Sequence, residues 1–512
     1  MTRSALHNVG GWLARRAATT GARPALRDER RALTYAELEA RAARCAGWLR
    51  GQGVGAGDRV ALLMSNGSPF LEAVFAAARI GAIALPLNTR LAAPELTALL
   101  DDAEPAVLLH DAELADLAAR ACDGAAKPPR RLAVGGPADP YAAALAASEP
   151  AHAVLPVSPD DPMILMYTSG TTGTPKGALL PHRKALFNSL NAQLFFDLSG
   201  RDRVLVVVPM FHSFGLQILA LPALYAGASL VLQRRFDAAA VWDAIEAERV
   251  TYFGGVPTMF GALQEAFDAR PGRDLSALRF AFTAGAAIPV ERIHAFSERG
   301  ILLKQGFGQT ETSILCCLDA ADAIRKAGSV GRPVFHAEVR VVRTQEIEGH
   351  PDGWRDVAVG ETGEIVVRGP ITMIGYWRRP EATAEVLRED GWLRTGDLAT
   401  VDEEGFVTLV GRARDMFISG GENVYPAQVE QVYAEHPAIR EIAVVGEPDP
   451  RWGEVGCAYV VLAPGATLDP DALRAWGRER LAAFKVPRRW VVMDALPRTV
   501  TGKVQKHRLG AR

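Results

Sequence analysis

The run Tyr167-Thr-Ser-Gly-Thr-Thr-Gly-Thr-Pro-Lys-Gly177 gathers glycine, hydroxyl groups and one lysine into eleven residues. That composition suits a loop built to hold phosphate. Gly170, Gly173 and Gly177 let backbone N–H groups approach an anion, Thr168, Ser169, Thr171, Thr172 and Thr174 add hydroxyl donors, and Lys176 adds a full positive charge. It is not a Walker A loop, because Gly177 follows Lys176 where a magnesium-binding Ser or Thr would stand. A flexible linker would need neither the lysine nor the apolar run Met163-Ile-Leu-Met166, which leads in like a buried strand.

Five further segments follow in order: Gln305-Gly-Phe-Gly-Gln-Thr-Glu311, Thr395-Gly-Asp-Leu398, Gly411-Arg-Ala-Arg-Asp415, Ser419-Gly-Gly-Glu-Asn-Val-Tyr-Pro426 and Pro497-Arg-Thr-Val-Thr-Gly-Lys503. With the phosphate loop, they make the chain resemble the adenylate-forming superfamily of acyl-CoA synthetases, stand-alone adenylation domains and luciferases. The resemblance runs from about the first helix to within ten residues of the end. It implies that a carboxylic acid attacks the α-phosphate of ATP, pyrophosphate leaves, and the resulting acyl-AMP is passed to coenzyme A.

Such chemistry brings two anions together, so charge must be neutralised where it develops. The resemblance assigns this to Lys503, Lys176 and a magnesium ion, with Glu311 as the metal's carboxylate, directly or through water, and Thr310 with the loop hydroxyls on phosphate oxygens. Asp397 has two acceptor oxygens suited to the ribose hydroxyls, Arg412 can donate to ribose or phosphate, and Phe307, beside Gly308, offers a flat face to adenine. Many relatives have tyrosine at the Phe307 position, and Gln309 likewise departs from the commoner methionine. Gly420 and Gly421 are expected to leave room for the pantetheine thiol, and Arg414 is expected to be the hinge about which the small domain turns between the two half-reactions.

For the acyl group, the resemblance points to Phe211, His212, Val256, Met259, Gly285, Ala286 and Gly306, with His212 as a gate. No aspartate stands near Phe211 to pair a substrate ammonium, so a free amino acid is disfavoured and an aliphatic, alicyclic or aromatic monocarboxylic acid is expected. Two other readings stay open at this point. One is an acyl-AMP ligase that loads a carrier protein, and the other is a member that performs only one half-reaction; luciferase-like oxygenation is a rarer activity on this scaffold.

The elements that must position these residues show an α/β rhythm. Thr34-Tyr-Ala-Glu37 is a capping box that opens a helix through about Arg50; Arg59 to Met64 and Ala82 to Leu87 read as strands, and Pro69 to Ile80 and Pro94 to Leu100 as helices. Layered α/β architecture with largely parallel sheets follows. The Ala- and Pro-rich stretch from about 121 to 157 reads as a surface excursion. Segments Glu338–Val342 and Gly363–Arg368 signal a β-rich part, and a compact, mobile α+β unit begins past Gly411. The expected division is an AMP-binding domain over 1–413 and a C-terminal lid over 414–512 that carries Lys503.

At 512 residues the chain can build more than one core. Lysine and arginine number 57 against 59 acids, and a net charge of -2 gives no general attraction to nucleic acid or to an anionic membrane. The five cysteines are odd in number, scattered and without metal-ligand spacing, which argues against a disulfide framework and for a reducing cytoplasm. The N-terminus opens Met1-Thr-Arg-Ser-Ala-Leu-His-Asn with no apolar stretch of signal-peptide length, and no window approaches the length of a membrane span, so a soluble monomer or homodimer is expected.

Overall fold

The computed structural model describes residues 2–168, 175–286, 288–419, 422–499 and 502–510. It divides into two compact units: residues 1–327, 331–338 and 367–393, and residues 328–330, 339–366 and 394–512.

The first unit is built on two sheets. In one, strands Ile83–Pro86, Arg59–Leu63, Val107–Asp111 and Arg130–Val134 run parallel, and Pro162–Thr168 joins them through Ile83–Pro86. The connecting helices explain the parallel order. Helix Ser68–Arg79 links the first pair of strands in sequence and is buried along its whole length. Its two charged residues are paired: Arg41 holds Glu72 at 2.6 Å, and Arg79 reaches Glu39 at 2.6 Å. Buried charge is tolerated only in such company. The preceding helix, Tyr35–Gly51, starts at the expected capping box, with Thr34 and Glu37 satisfying each other's backbone N–H groups.

The second sheet of this unit places Arg203–Val206, Tyr252–Gly255, Phe280–Thr283 and Leu303–Gln309 side by side and parallel, with Ser313–Cys317 returning antiparallel. Strand Ser229–Leu232 flanks Arg203–Val206 on its other side.

The stretch from 121 to 157 corrects the expected surface excursion. Arg130–Val134 is a paired strand, and helix Pro140–Ala147 buries Tyr141 and Leu145. The Tyr141 hydroxyl donates to Glu72 at 2.9 Å, so this segment completes the environment of a buried carboxylate. Alanine-rich composition concealed it, because only two large side chains in that helix face the core.

The second unit holds two sheets. Strands Glu338–Val342, Gly363–Arg368, Leu393–Val401 and Val407–Arg412 form the first. Strands Phe417–Ser419, Glu422–Val424, Ile439–Asp449, Gly453–Leu462 and Arg489–Val492 form the second, with helices Pro426–Ala434 and Pro470–Arg480. Val429 and Tyr433 from the first helix, Leu473 from the second and Val444 and Val460 from the strands share one core. The 3-10 turn Ala413–Asp415 lies in the chain between the two sheets.

All five cysteines are unpaired and buried. Among the described residues, no helix is long and apolar enough to cross a membrane.

Candidate active site

Strands Pro162–Thr168 and Lys176–Pro181 form an antiparallel pair in which Thr168 stands opposite Lys176. The Thr168 hydroxyl donates to the Lys176 carbonyl at 3.3 Å. Ser169, Gly170, Thr171, Thr172, Gly173 and Thr174 lie outside the described residues. The Lys176 ammonium sits 5.4 Å from the centre of the Tyr376 ring and 3.9 Å from the Glu385 carboxylate.

Tyr376 was not singled out by the sequence. Its hydroxyl donates to Glu311 Oε1 at 2.9 Å, so one side chain touches both the loop lysine and the expected metal carboxylate. It reaches this place because Gly375–Tyr376 pairs with the strand that carries Lys176, Tyr376 opposite Ala178. No local spacing could have indicated that pairing, since the two strands are far apart in sequence.

Strand Leu303–Gln309 carries Gly306, Phe307 and Gly308 and turns through Thr310 and Glu311 into Ser313–Cys317. Phe307 is only 9% exposed, so a face offered to adenine is a largely covered one. The two glycines flanking it are required by contact: a Cβ on Gly306 would lie 2.6 Å from the Phe282 ring, and one on Gly308 would lie 1.9 Å from the Ser313 carbonyl. Glu311 is held at its backbone as well, its carbonyl accepting from Met373 N–H at 2.7 Å.

The acyl-wall candidates gather at one end of the second sheet. Gly255, Thr283 and Gln305 stand in one register row across three parallel strands. Val256, Ala284 and Gly306 follow them by one residue. Phe211 and His212 lie beyond the carboxyl end of the neighbouring strand Arg203–Val206, with ring centres 4.5 Å apart. The crevice outside the carboxyl ends of parallel strands is where α/β folds bind ligands. Met259 is buried on helix Pro257–Ala269, and Gly285 and Ala286 are exposed; a Cβ on Gly285 would come 3.8 Å from Val256.

Two features of this region went unread in the sequence. Residues Phe214–Ala220 form a π-helix, a rare form that often marks functional sites. Phe214 lies over Gly254, whose Cβ would meet the ring at 2.8 Å, and it packs edge-on to Phe282.

In the second unit, Asp397 and Arg412 face each other across an antiparallel pair, with Arg412 Nε 2.5 Å from Asp397 Oδ1. Asp397 is 6% exposed, and Thr395 braces it by accepting its N–H at 3.1 Å while donating to the Ile365 carbonyl at 2.8 Å. Arg412 also donates to the Thr395 carbonyl at 3.3 Å. Arg414 occupies the turn Ala413–Asp415.

Lys503 is exposed and closes a tight hairpin. Thr499 N–H donates to the Lys503 carbonyl at 2.7 Å, and Gly502 N–H to the Thr499 carbonyl at 2.9 Å. Arg498 fastens the turn, donating to the Gly502 carbonyl at 2.6 Å and to Glu441 at 2.5 Å. Gly420 and Gly421 lie outside the described residues.

Comparison with known proteins places the chain in a family. The family "AMP-binding enzyme" matches residues 13–377, and "AMP-binding enzyme C-terminal domain" matches residues 428–503. The chain is 45% identical to feruloyl-CoA synthase of Amycolatopsis sp over 97% of each chain. It is 42% identical to indoleacetate–CoA ligase of Aromatoleum aromaticum, over 97% of this chain and 96% of that one. Among solved structures, o-succinylbenzoate coenzyme A synthetase of Bacillus subtilis in complex with ATP and magnesium superposes with a TM-score of 0.85, at 32% identity over 98% of this chain and 99% of that one. The chain belongs to the AMP-binding enzyme family, as an AMP-forming acid–thiol ligase that makes acyl-AMP and then acyl-CoA.

Proposed function

We propose that the acid is an aryl-substituted monocarboxylic acid, adenylated with ATP and transferred to coenzyme A. The observation that carries this reading is the aromatic acyl group of two relatives that match nearly the whole chain, one feruloyl and one indoleacetyl. Phe211, Phe214 and Phe282 lie at the carboxyl ends of the parallel strands and supply flat apolar surface. In the same segments, Ser213 Oγ, Gln217 Oε1 and Thr283 Oγ1 are buried without hydrogen-bond partners, which supports an acid with a polar ring substituent.

The residue roles follow the charge that must be handled. Lys176 and Lys503 neutralise charge as the carboxylate approaches the α-phosphate, and Asp397 with Arg412 holds the ribose. A magnesium ion would offset phosphate charge from a place beside Glu311. Glu311 suits it: a partly buried carboxylate with one oxygen bonded to Tyr376, and no group of three acids, histidines or cysteines that could hold a metal among the described residues. That donor set fits an ion that takes its other ligands from phosphate and water. Thr310 and the loop residues 168–174 position phosphate oxygens, Phe307 and Gly308 border adenine, and Gly420 and Gly421 admit the thiol. His212, Val256, Met259, Gly285, Ala286 and Gly306 surround the acyl group. The working division is 1–413 for nucleotide and acid and 414–512 for the lid, with Arg414 as the hinge.

A panel of acids incubated with ATP, magnesium and CoA, with products identified by mass, tests the substrate class. Aryl-propenoic or aryl-acetic acids should exceed long-chain fatty acids in kcat/KM by about tenfold or more, the scale of pocket discrimination. A preference for fatty acids would reject the aryl reading.

A further inference from the structure

Lys184 is the third residue of helix His182–Phe196 and is completely buried. Its Nζ donates to the Ser313 hydroxyl and, at 3.0 Å, to the Ile371 carbonyl. Both acceptors belong to segments that hold Glu311. Ser313 follows Glu311 by two residues in the same turn, and Ile371 precedes by two residues Met373, whose N–H donates to the Glu311 carbonyl at 2.7 Å. One side-chain nitrogen thus ties the turn and the strap that grips it.

The turn needs such fastening. Ser313 has φ 61°, in the left-handed region that a residue with a side chain enters at a cost, and its carbonyl stands where any Cβ on Gly308 would collide. Within the turn, Gln309 N–H donates to the Thr312 hydroxyl at 3.1 Å. Arg183, the residue before Lys184, reinforces the strap by donating to the Pro370 carbonyl at 2.7 Å and the Thr372 carbonyl at 3.0 Å.

Burying a lysine is expensive, and methionine would fill similar space without desolvating a charge. What methionine lacks is the pair of N–H donors to Ser313 and Ile371. We propose that Lys184 is a positioning residue for adenylation: by holding both segments around Glu311, it fixes the carboxylate where the magnesium–nucleotide complex is bound. This rests on the reading of Glu311 as the metal's carboxylate.

The test compares wild type, Lys184→Met, Ser313→Ala, Glu311→Gln and the Lys184→Met/Glu311→Gln double variant. For each, thermal unfolding is followed with α,β-methylene ATP at increasing magnesium concentration, beside acid-dependent pyrophosphate exchange and thioester formation from supplied acyl-AMP. In Lys184→Met, the magnesium concentration giving half of the ligand-induced Tm rise should increase about tenfold, the effect expected when a partner that orients a metal ligand is lost. Pyrophosphate exchange should show the same shift, while thioester formation stays within about twofold. Ser313→Ala should shift in the same direction by a few-fold, and it carries the test if Lys184→Met does not fold. The double variant should need no more magnesium than Glu311→Gln alone. A lower Tm with an unchanged magnesium response in Lys184→Met, or in Ser313→Ala where that stands in, would overturn the proposal and leave Lys184 a packing residue. An unchanged response in Glu311→Gln would instead overturn the metal reading of Glu311, and the role given to Lys184 with it.

Discussion

Lys503 and Asp397 carry charge in opposite settings, and their predicted losses differ accordingly. Lys503 is exposed at a hairpin fastened through Arg498 to Glu441, so its removal costs little structure. Lys503→Ala should lower acid-dependent pyrophosphate exchange about a hundredfold or more, the effect of deleting one strong electrostatic donor, while supplied acyl-AMP still yields thioester. Equal loss in both steps would make Lys503 a shared or structural residue. Asp397 is buried against Arg412, and Asp397→Asn keeps its shape while removing the charge that strengthens both that contact and the proposed hydrogen bond to ribose. KM for ATP should rise about tenfold with the fold intact by circular dichroism; an unchanged KM would take the ribose away from Asp397. The sequence can propose these residues because their motifs are short and local. Tyr376 and Lys184 were not, because they reach Glu311 and Ser313 across 65 and 129 residues of chain, and nothing local in the sequence encodes such a pairing.

Among the elements, helix His182–Phe196 begins with a histidine that receives the N-terminal segment. Val9 N–H donates to His182 Nδ1 at 3.2 Å, and burial, with His7 nearby and only partly offset by Asp161, lowers the His182 pKa from 6.5 to about 4. The folded protein therefore resists a proton that the unfolded chain accepts. Stability from this site is complete above pH 6.5 and is lost as pH falls toward 4, by about 3 kcal/mol. Urea unfolding across that window should show the slope, and His182→Asn should flatten it; equal slopes would assign the pH dependence elsewhere. The turn Ala413–Asp415 invites a different test. Arg414→Pro fixes one backbone angle, so acyl-AMP should accumulate or fail to form while CoA turnover collapses, and normal turnover would move the hinge. Regular strands and capped helices were readable from periodicity. The π-helix Phe214–Ala220 was not, because its apolar run reads equally as an α-helix and the close approach of Gly215 to the Pro209 carbonyl, 2.5 Å from where a Cβ would stand, is a tertiary contact.

For the molecule as a whole, the near-neutral charge of -2 leaves recognition to the site rather than to a long-range field. Its alternation of strands and helices was legible over the first hundred residues and lost in the alanine-rich stretch from 121 to 157; which acid it takes was not legible, since pocket shape depends on side chains from several strands meeting at their carboxyl ends. The five cysteines add a property of the entire chain. All are buried, and burial pushes the thiols up, Cys45, Cys317 and Cys457 to about 12 and Cys122 and Cys316 likewise upward. The folded protein should therefore release less than about one equivalent of colour from a disulfide dye, and all five only after denaturation. Rapid reaction of two or more in the native state would contradict that burial.

An enzyme that handles a thiol at every turnover thus presents almost no thiolate of its own. Oxidised coenzyme A, which forms mixed disulfides with accessible cysteines, finds no ready partner on this surface. The practical counterpart is that coenzyme A left in samples withdrawn during turnover can be titrated with a thiol dye under non-denaturing conditions, the folded protein adding little colour of its own.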